Sequence, residues 1–491
     1  MRIAVGVQLL LRLRYVLVLV VLAALVAAVA PADAQTLLRT LDTPNPQEGA
    51  YFGTSVTVGD VNDDGKADVA VAAPWEAVGG NDYVGRVYVF SGADGSLLHT
   101  LDTPNPQEED RFGYSLAAGD VNGDGKADIA VGAPWEDVDA NADQGRAYVF
   151  SGADGSLLRT LDTPNPQADA GFGSSLAVED VNDDGNADIA VGAPYEDVDT
   201  NADQGRAYVF SGTDGSLLRT LDTPNPQEES RFGEALAAGD VNGDDKADVA
   251  VGAPDEDVDT NVDQGRAYVF SGTDGSLLFT LDTPNPQAQP FFGLSLAMGD
   301  VNGDGKAEVA VGAPYEDVDA NQDQGRAYVF SGADGSLLFT LDTPNPQEWS
   351  EFGHSLAVGE VNGDSSGGIA VGAAGETLAG IEQAGRAYVY SFPAAPSGSH
   401  RRSRTPTPTP MATSTPVSSA TPLIATPVPP PLATPTPIGG VGPSVVAPST
   451  GSGGGSSTPG EGAGWLFGAY AALASGVAVV VGGWYARRRL R

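Results

Sequence analysis

The chain contains no cysteine and only three histidines, and each scarcity excludes a class of chemistry. Without cysteine there is no disulfide, no thiolate nucleophile and no zinc site built on sulfur. His99, His354 and His400 fall at unrelated positions, so a histidine metal cluster is not expected. Catalysis or metal binding would therefore depend on oxygen-bearing side chains.

Basic residues are also scarce: 25 stand against 65 acidic ones, which gives a formal net charge of −40. Nucleic acid is not expected as a partner, because binding it requires a basic surface. A surplus of one sign this large would destabilise a compact fold through self-repulsion. Bound cations would relieve the repulsion, which is the first indication of a metal.

Both termini carry apolar segments typical of an exported, membrane-anchored protein. Residues 1–34 have the basic start, short apolar run and small-residue ending of a cleaved signal peptide, with an uncleaved anchor as the alternative. Residues 465–486 are uncharged and long enough to span a bilayer, and the basic tail 487–491 follows on the cytoplasmic side. The sequence predicts a single-pass cell-surface protein, or one whose tail is exchanged for a covalent anchor.

Residues 35–393 consist of six repeats of 60 residues, aligned on Phe-Gly at Phe52, Phe112, Phe172, Phe232, Phe292 and Phe352. Each repeat has four short apolar or alternating segments, in the second repeat residues 115–120, 127–133, 146–151 and 156–161, separated by Gly and Asp turns. Four strands per repeat indicate an all-β fold, a β-propeller of six four-stranded blades.

The two ends of the array complement one another. The last repeat stops after three predicted strands, and residues 36–47 match a fourth strand with no partner strands before it. The N-terminal strand is therefore predicted to complete the sixth blade and close the ring, which leaves no free sheet edge.

The composition changes after the array. Residues 394–464 are rich in Pro, Thr, Ser and Gly, and they lack the apolar content that a core requires. We expect a disordered Pro/Thr stalk between the propeller and the membrane.

An acidic motif follows the first predicted strand of the repeat. In the second repeat Asp120, Asn122, Asp124 and Asp128 stand at positions one, three, five and nine, with Gly125 at the sharp turn. Alternating oxygen-bearing side chains in a tight loop, together with the main-chain carbonyl at position seven, favour Ca²⁺. Because a β-strand follows and position 12 is not Glu, this is predicted to be a calcium loop between strands, not an EF-hand.

Five repeats are expected to bind calcium. The predicted ligands, with position seven acting through its main chain, are Asp60, Asn62, Asp64, Lys66 and Asp68; Asp120, Asn122, Asp124, Lys126 and Asp128; Asp180, Asn182, Asp184, Asn186 and Asp188; Asp240, Asn242, Asp244, Lys246 and Asp248; and Asp300, Asn302, Asp304, Lys306 and Glu308. The sixth loop has lost position nine and is expected to be empty. The alternative is that these are ordinary Asp/Asn/Gly turns.

A second acidic segment, residues 196–206 in the third repeat, follows the second predicted strand in repeats two to five. It is either a solvated loop whose Arg206 pairs with a nearby carboxylate, or a second cation site, or a face that attracts a basic ligand. The arginine occurs once in each of the six repeats, which favours an architectural role.

Phe-Gly, an acidic calcium loop and Gly-Ala-Pro follow one another in the order of FG-GAP repeats, and the array resembles the propeller of integrin alpha subunits. In the second repeat these motifs are Phe112-Gly113, residues 120–128 and residues 132–134. The resemblance implies ligand-binding loops on the face opposite the calcium loops, at residues 102–110, 196–205 and their counterparts. Integrin propellers have seven blades and this array has six, and its near-identical repeats and Thr-Pro stalk look more like a bacterial surface protein.

Three functions are consistent with the sequence. The first is a calcium-stabilised adhesion or ligand-binding module at the cell surface, with an extracellular protein or glycan as ligand. The second is a propeller enzyme, a hydrolase or lyase, at the central channel; the uniform repeats and the lack of a Ser/His/Asp set argue against it. The third is a structural spacer without a ligand.

Overall fold

The computed structural model describes residues 38–360, 367–378 and 380–392, which form six antiparallel sheets. Blades one to three comprise β1 (Val56–Gly59), β2 (Asp68–Ala73), β3 (Arg86–Phe90), β4 (Leu97–Leu101), β5 (Leu116–Gly119), β6 (Asp128–Ala133), β7 (Arg146–Phe150), β8 (Leu157–Leu161), β9 (Leu176–Glu179), β10 (Asp188–Ala193), β11 (Arg206–Phe210) and β12 (Leu217–Leu221). Blades four to six comprise β13 (Leu236–Gly239), β14 (Asp248–Ala253), β15 (Arg266–Phe270), β16 (Leu277–Leu281), β17 (Ser295–Gly299), β18 (Glu308–Ala313), β19 (Arg326–Phe330), β20 (Leu337–Leu341), β21 (Phe352–Glu360), β22 (Gly367–Ala373) and β23 (Arg386–Ser391).

Each sheet pairs its strands in chain order, so every blade is a meander of the kind that the repeats predict. Blades one to five have four strands, and the sixth has three among the described residues. The turn between the third and fourth strands is closed locally. In blade two the Ser151 N–H donates to the Ser156 carbonyl at 2.8 Å, and the Ser156 N–H donates to the Asp154 carboxylate at 2.9 Å. The prediction of an all-β propeller with six blades is confirmed.

The hydrophobic core lies between neighbouring blades. One cluster joins Val87 and Leu101 of the first blade to Phe112, Tyr148 and Phe150 of the second. Phe112 is fully buried, and its ring centroid lies 5.9 Å from that of Tyr148 and 5.8 Å from that of Phe150. Burying one such side chain contributes roughly 1.5–3 kcal/mol. Adjacent blades therefore stabilise one another.

A close approach between blades requires the glycine of the Phe-Gly pair. Gly113 has a φ of 93°, and a Cβ added there would lie 2.7 Å from the Cβ of Ala72 in the preceding blade. Only glycine tolerates both conditions. The phenylalanine fills the core between two blades, and the glycine lets the chain pass against the neighbouring strand.

A buried polar network explains the recurring arginine. In blade three the fully buried Glu196 accepts hydrogen bonds from Arg206 Nη1 (3.0 Å), the Tyr208 hydroxyl (2.8 Å) and Asn165 Nδ2 (2.9 Å). The Arg206 Nε donates to Asp222 at 2.5 Å. Asn165 and Asp222 lie in the connections before and after the blade, so the network joins consecutive blades. The same arginine–glutamate pair occurs in all six blades, as expected for an architectural residue.

The N-terminal segment packs on the first blade. The Arg39 guanidinium donates to the Ala93 carbonyl, and Leu41 packs on the first blade's hydrophobic cluster. Arg159 on β8 makes the same contact with the Thr213 carbonyl, at 2.6 Å, in the blade that follows its own. Residues 38–41 therefore lie where the fourth strand of a preceding blade would lie.

Closure of the ring by this segment stays a prediction. Among the described residues the sixth sheet ends at β23, and residues 38–41 are not paired with it. Val56 and Val58 on β1 are 53% and 62% exposed and Val389 on β23 is 58% exposed, whereas Val178, the counterpart of Val58 in blade three, is 9% exposed. The first and last blades each keep an uncovered flank that closure would bury.

Within the described ranges no helix is long and apolar enough to span a membrane. The predicted signal peptide (1–34), the stalk (394–464), the spanning segment (465–486) and the basic tail (487–491) all lie outside the described residues.

Candidate functional site

The acidic motif forms a loop between the first and second strands of the blade, as predicted. In blade two the Asp120 carboxylate accepts backbone N–H groups from Gly123 (2.8 Å), Asp124 (3.1 Å) and Gly125 (2.8 Å). The Asn122 Oδ1 accepts the Asp124 N–H at 2.9 Å. The side chains at positions one and three thus shape the loop around themselves.

The carboxylate at position nine also has a structural role. Asp128 is fully buried and accepts the Val121 N–H (3.1 Å), the Asn122 side-chain amide (3.2 Å) and the Gly152 N–H (3.0 Å). Because Gly152 belongs to the turn between the third and fourth strands, Asp128 ties the loop to that turn. The three contacts recur at Asp68, Asp188 and Asp248, and the first two recur at Glu308.

Burial raises the pKa of Asp128, Asp188 and Asp248 to about 6 and the pKa of Glu308 to about 7. In each loop the negative charges at positions one and five raise that pKa further. The carboxylates of one loop therefore repel one another, and a cation held among them would remove the repulsion.

The donor set of these loops fits calcium, because every predicted side-chain ligand is a carboxylate or amide oxygen. In the structure, however, oxygens at positions one, three, five and nine accept N–H groups of the protein. Across the described ranges no group of three or more acidic or histidine side chains is arranged to hold a metal ion. Calcium binding stays a prediction, with the side chains at positions one, three, five and nine and the main chain at position seven as its ligands.

The second acidic loop closes on itself. Val198 and Asn201 form an isolated β-bridge, the Asp197 carboxylate accepts the Asp203 N–H at 2.9 Å, and Asn201 Nδ2 donates to Gln204 Oε1 at 2.7 Å. These contacts fit the alternative of a solvated loop whose arginine pairs with nearby carboxylates.

Loops of two kinds lie together on the face opposite the calcium loops. The backbone N–H groups of Arg111 and Phe112, just before the second blade, donate to the carbonyls of Tyr83 (3.0 Å) and Val84 (2.8 Å) in the first blade. The connection into each blade thus packs on the loop between the second and third strands of the blade before it. We refer to this side of the propeller as the upper face.

Three positions in each repeat differ between blades, and the predicted sites do not include them. They are the residues just before and just after Phe-Gly and the residue after Gly-Ala-Pro or its equivalent. In blade order they are Tyr51, Thr54, Trp75; Arg111, Tyr114, Trp135; Gly171, Ser174, Tyr195; Arg231, Glu234, Asp255; Phe291, Leu294, Tyr315; and Glu351, His354, Gly375. Their variation among near-identical repeats is the sequence signal that distinguishes them.

In blades one and two these positions form a row of rings around one guanidinium. The Cζ of Arg111 lies 4.3 Å from the ring centroid of Trp135 and 5.7 Å from that of Trp75. Tyr114 packs edge-on against Trp135 at 4.6 Å, and Tyr51 packs edge-on against Trp75 at 5.2 Å. Trp75 belongs to blade one and Arg111 to blade two, so the row crosses the seam between the blades.

In blades three and four the corresponding positions form a charged cluster. The Arg231 Nε lies 2.7 Å from Asp255 Oδ2, and its guanidinium lies over the Tyr195 ring at 5.5 Å. Glu234 Oε2 and Asp255 Oδ1 are buried and have no hydrogen-bond partner among the described residues. Burial raises the pKa of Glu234. Burial also raises the pKa of Asp255 to about 7, although the positive charge of Arg231 lowers it. Burial raises the pKa of Tyr114, and the negative charge of Glu234 raises it further. The charged cluster and the row of rings are therefore neighbours.

A buried carboxyl beside the row makes stability depend on pH. Asp110 is fully buried, and its Oδ1 has no hydrogen-bond partner among the described residues. Burial raises the pKa of Asp110 to about 8. The one hydrogen bond that its carboxylate accepts, from the Gln107 N–H at 2.7 Å, lowers this pKa but does not offset the effect of burial. An aspartate of the unfolded chain has a pKa of about 3.9. Between pH 4 and 8 the folded chain thus keeps a proton that the unfolded chain releases, so stability falls as pH rises through this range.

We expect Asp110→Ser to stabilise the chain at pH 8, because Ser230 and Ser350 occupy this position in other repeats and donate to the carbonyls of Gln204 (3.0 Å) and Gln324 (2.8 Å). At about 1.4 kcal/mol per pKa unit the gain amounts to several kcal/mol, and it disappears towards pH 4. Urea midpoints at pH 4, 6 and 8 measure it. Ser230→Ala is the control without a titrating group, and a gain from Asp110→Ser that does not vary with pH would contradict the prediction.

The family comparison agrees with this architecture. The FG-GAP repeat model matches residues 52–90, 112–150, 172–210, 232–270 and 292–330, each running from the Phe-Gly pair to the end of the third strand. The chain therefore contains five FG-GAP repeats. The sixth repeat, which has lost position nine of the acidic loop and the proline of Gly-Ala-Pro, is not among the matched residues.

The chain is similar to integrin alpha subunits over part of its length. Integrin alpha-PS3 of Drosophila melanogaster is 33% identical, and the match covers 42% of this chain and 19% of that integrin. Integrin alpha-5 of Xenopus laevis is 29% identical, and the match covers 54% of this chain and 26% of that integrin. Phosphatidylinositol-glycan-specific phospholipase D of Homo sapiens is 28% identical, and the match covers 70% of this chain and 46% of the phospholipase. The aligned region thus spans about a quarter or less of these integrins and under half of the phospholipase.

Proposed function

We propose that the chain is a calcium-stabilised propeller that acts at the cell surface as an adhesion or ligand-binding module. The observation that carries the proposal is the distribution of its variable residues. Most residues of the strands, the turns and the buried glutamate network repeat from blade to blade, whereas no two blades carry the same set of side chains at the three variable positions of the upper face. A spacer needs no such differences, but a surface that recognises one ligand does.

The similarity to integrin alpha subunits over about half of the chain supports the same interpretation. Display outside the cell rests on the predicted signal peptide, stalk and membrane span. In this proposal the calcium loops stabilise the blades from the opposite face and leave the upper face free for the ligand.

An enzyme is the second candidate, and two observations favour it. The phospholipase D relative aligns with 70% of this chain. The cluster of Arg231, Glu234 and Asp255 occurs once in the array and contains two carboxyl groups whose pKa values are raised by burial. Carboxyl groups with raised pKa values in one place are candidates for acid–base catalysis.

The test is capture of ligands by the full-length chain on an array of extracellular proteins and glycans, in calcium and in chelator. The proposal expects calcium-dependent capture of one ligand class, and loss of capture when Trp135 and Tyr195 are replaced by alanine. Leu157→Ala and Leu217→Ala, at exposed positions of the fourth strands, are the matched controls. A folded chain that captures nothing would favour the spacer. Conversion of the bound ligand, abolished by Glu234→Gln, would favour the enzyme.

A further inference from the structure

Arg111 differs from the other arginines of the described residues. Each of the others donates to a carboxylate or to a main-chain carbonyl. The Arg111 guanidinium makes no hydrogen bond or ion pair with any described residue, and its Nε is buried without a partner. A buried donor without an acceptor destabilises the folded state. The protein therefore maintains a charged group whose hydrogen bonds go unused within the described structure.

The two tryptophans fix the orientation of this guanidinium. It lies over the rings of Trp135 and Trp75 at 4.3 and 5.7 Å, and Tyr114 and Tyr51 in turn pack edge-on against those rings. A guanidinium held between rings presents its N–H groups in one plane, in the fork that pairs with a carboxylate through two hydrogen bonds. Little side-chain freedom remains to be lost on binding.

The loop between the second and third strands is less acidic in blade one than in blades two to five. Ala77 and Tyr83 of the first blade stand where the second blade has Asp137 and Asp143. Tyr51 and Tyr83 at the seam between blades one and two are 57% and 44% exposed. The guanidinium therefore lies at a seam with accessible aromatic rings, where the connection into blade two still supplies Glu108, Glu109 and Asp110.

Acidic groups act on the guanidinium without pairing with it, and they limit the kind of anion that fits. Burial lowers the pKa of Arg111, whereas the charges of Glu109 and Asp143 act against that shift without forming an ion pair. With a net charge of −40 the chain repels polyanions over long distances. A ligand with one terminal carboxylate fits this field better than a sulfated or phosphorylated polymer.

We propose that Arg111 binds the carboxylate of an acidic saccharide, whose sugar ring lies against the exposed rings of Tyr51 and Tyr83. This rests on the proposed ligand-binding function and names its ligand class. Partly exposed aromatic rings with a few fixed polar groups are typical of small-ligand sites. The flat apolar side of a sugar ring covers such rings, while its carboxylate supplies the acceptors that the guanidinium lacks.

The experiment measures binding of the full-length chain, in calcium, to oligosaccharides that end in a uronic or a sialic acid. The comparison ligands are the same oligosaccharides with the carboxyl reduced to an alcohol, and peptides with acidic C-termini. Carboxyl reduction is expected to weaken binding at least tenfold. Arg111→Lys keeps the charge but loses the planar fork, so it is expected to weaken binding about as much. Arg159→Lys on the fourth strand of blade two is the matched control and binds like the wild type.

Arg111→Gly, which places at this position the residue that the third repeat has there, is expected to abolish binding. The fluorescence of the tryptophans beside Arg111 and the melting temperature of each variant establish that it is folded. Unchanged binding by folded Arg111 variants overturns the inference and leaves the proposed function standing. Arg111-dependent capture of acidic peptides alone overturns the saccharide assignment. A wild-type chain that captures no ligand of any class overturns the inference and the proposed function together.

Discussion

Chelating calcium is expected to lower the melting temperature of the full-length chain by more than about 10 °C. A ligand that binds only the folded state at a hundred times its dissociation constant stabilises it by about 2.7 kcal/mol per site. In a domain of about 360 residues 1 kcal/mol moves the melting temperature by roughly 1–2 °C. Five sites whose carboxylates repel one another without a cation make this the largest effect of a change in solution conditions. Calorimetric melts in calcium and in chelator measure it.

Stoichiometry separates calcium binding from other causes of stabilisation. Titration calorimetry of the wild type is expected to give five sites, and Asp180→Ala, at position one of the third loop, is expected to give four. Asp180 also accepts N–H groups within its loop, so a lower melting temperature alone would not identify the metal. Glu360→Ala alters the sixth loop, which lacks position nine, and should leave five sites. An unchanged melt together with no heat of binding would refute the calcium assignment.

Closing the ring covalently is expected to produce the second large effect. In blade two Val149 on β7 lies opposite Arg159 on β8. Val389 and Arg39 hold the same repeat positions at the two ends of the array, so closure places them opposite each other. Directly opposed residues lie within reach of a disulfide. Arg39→Cys with Val389→Cys would tie a loop of some 350 residues, and the chain-entropy model gives a gain of about 5–6 kcal/mol for that length.

The chain has no native cysteine, so a bond formed in this double variant is unambiguous. Its formation is read from non-reducing gel mobility and from a rise in melting temperature that a reductant reverses. Thr40→Cys with Val389→Cys is the control, because a shift of one residue directs the side chain to the other side of the sheet. Failure of the Arg39/Val389 pair to form the bond, or bonds between separate chains, would show that the N-terminal segment does not complete the sixth blade.

Much of this fold follows from the sequence because each blade is built from local signals. The strands around residues 116–133 are marked by apolar runs, and the turn at 151–156 by Gly, Asp and Ser that bond to their own backbone. The acidic loop was also predictable, since its shape comes from side chains within nine residues. Pairing of the N-terminal segment with β23 depends on two parts of the chain that are far apart, and local signals do not determine it.

The site residues that the sequence did not reveal depend on contacts between distant segments. Glu196 begins an acidic run and is indistinguishable there from a solvated residue, but Arg206, Tyr208 and Asn165 meet it in a buried position. Arg111 precedes a Phe-Gly pair, and no property of its own segment places it between rings from two blades. The position of Arg111 varies among the repeats, and this distinguishes it from the repeated framework. Its functional role, however, is indicated only by the residues that surround it in the folded chain.

The location of the core between blades also bears on how such an array changes length in evolution. Among the described residues, each of blades two to five contributes to two interiors, one on either side, and these interiors have almost the same composition. Removing one whole unit, such as residues 172–231, would place Phe232 against the surface that Phe172 now covers. The side chains that would then meet are equivalent to those that meet there now. Unequal recombination within a gene of this kind can therefore add or delete blades while every remaining seam stays well packed.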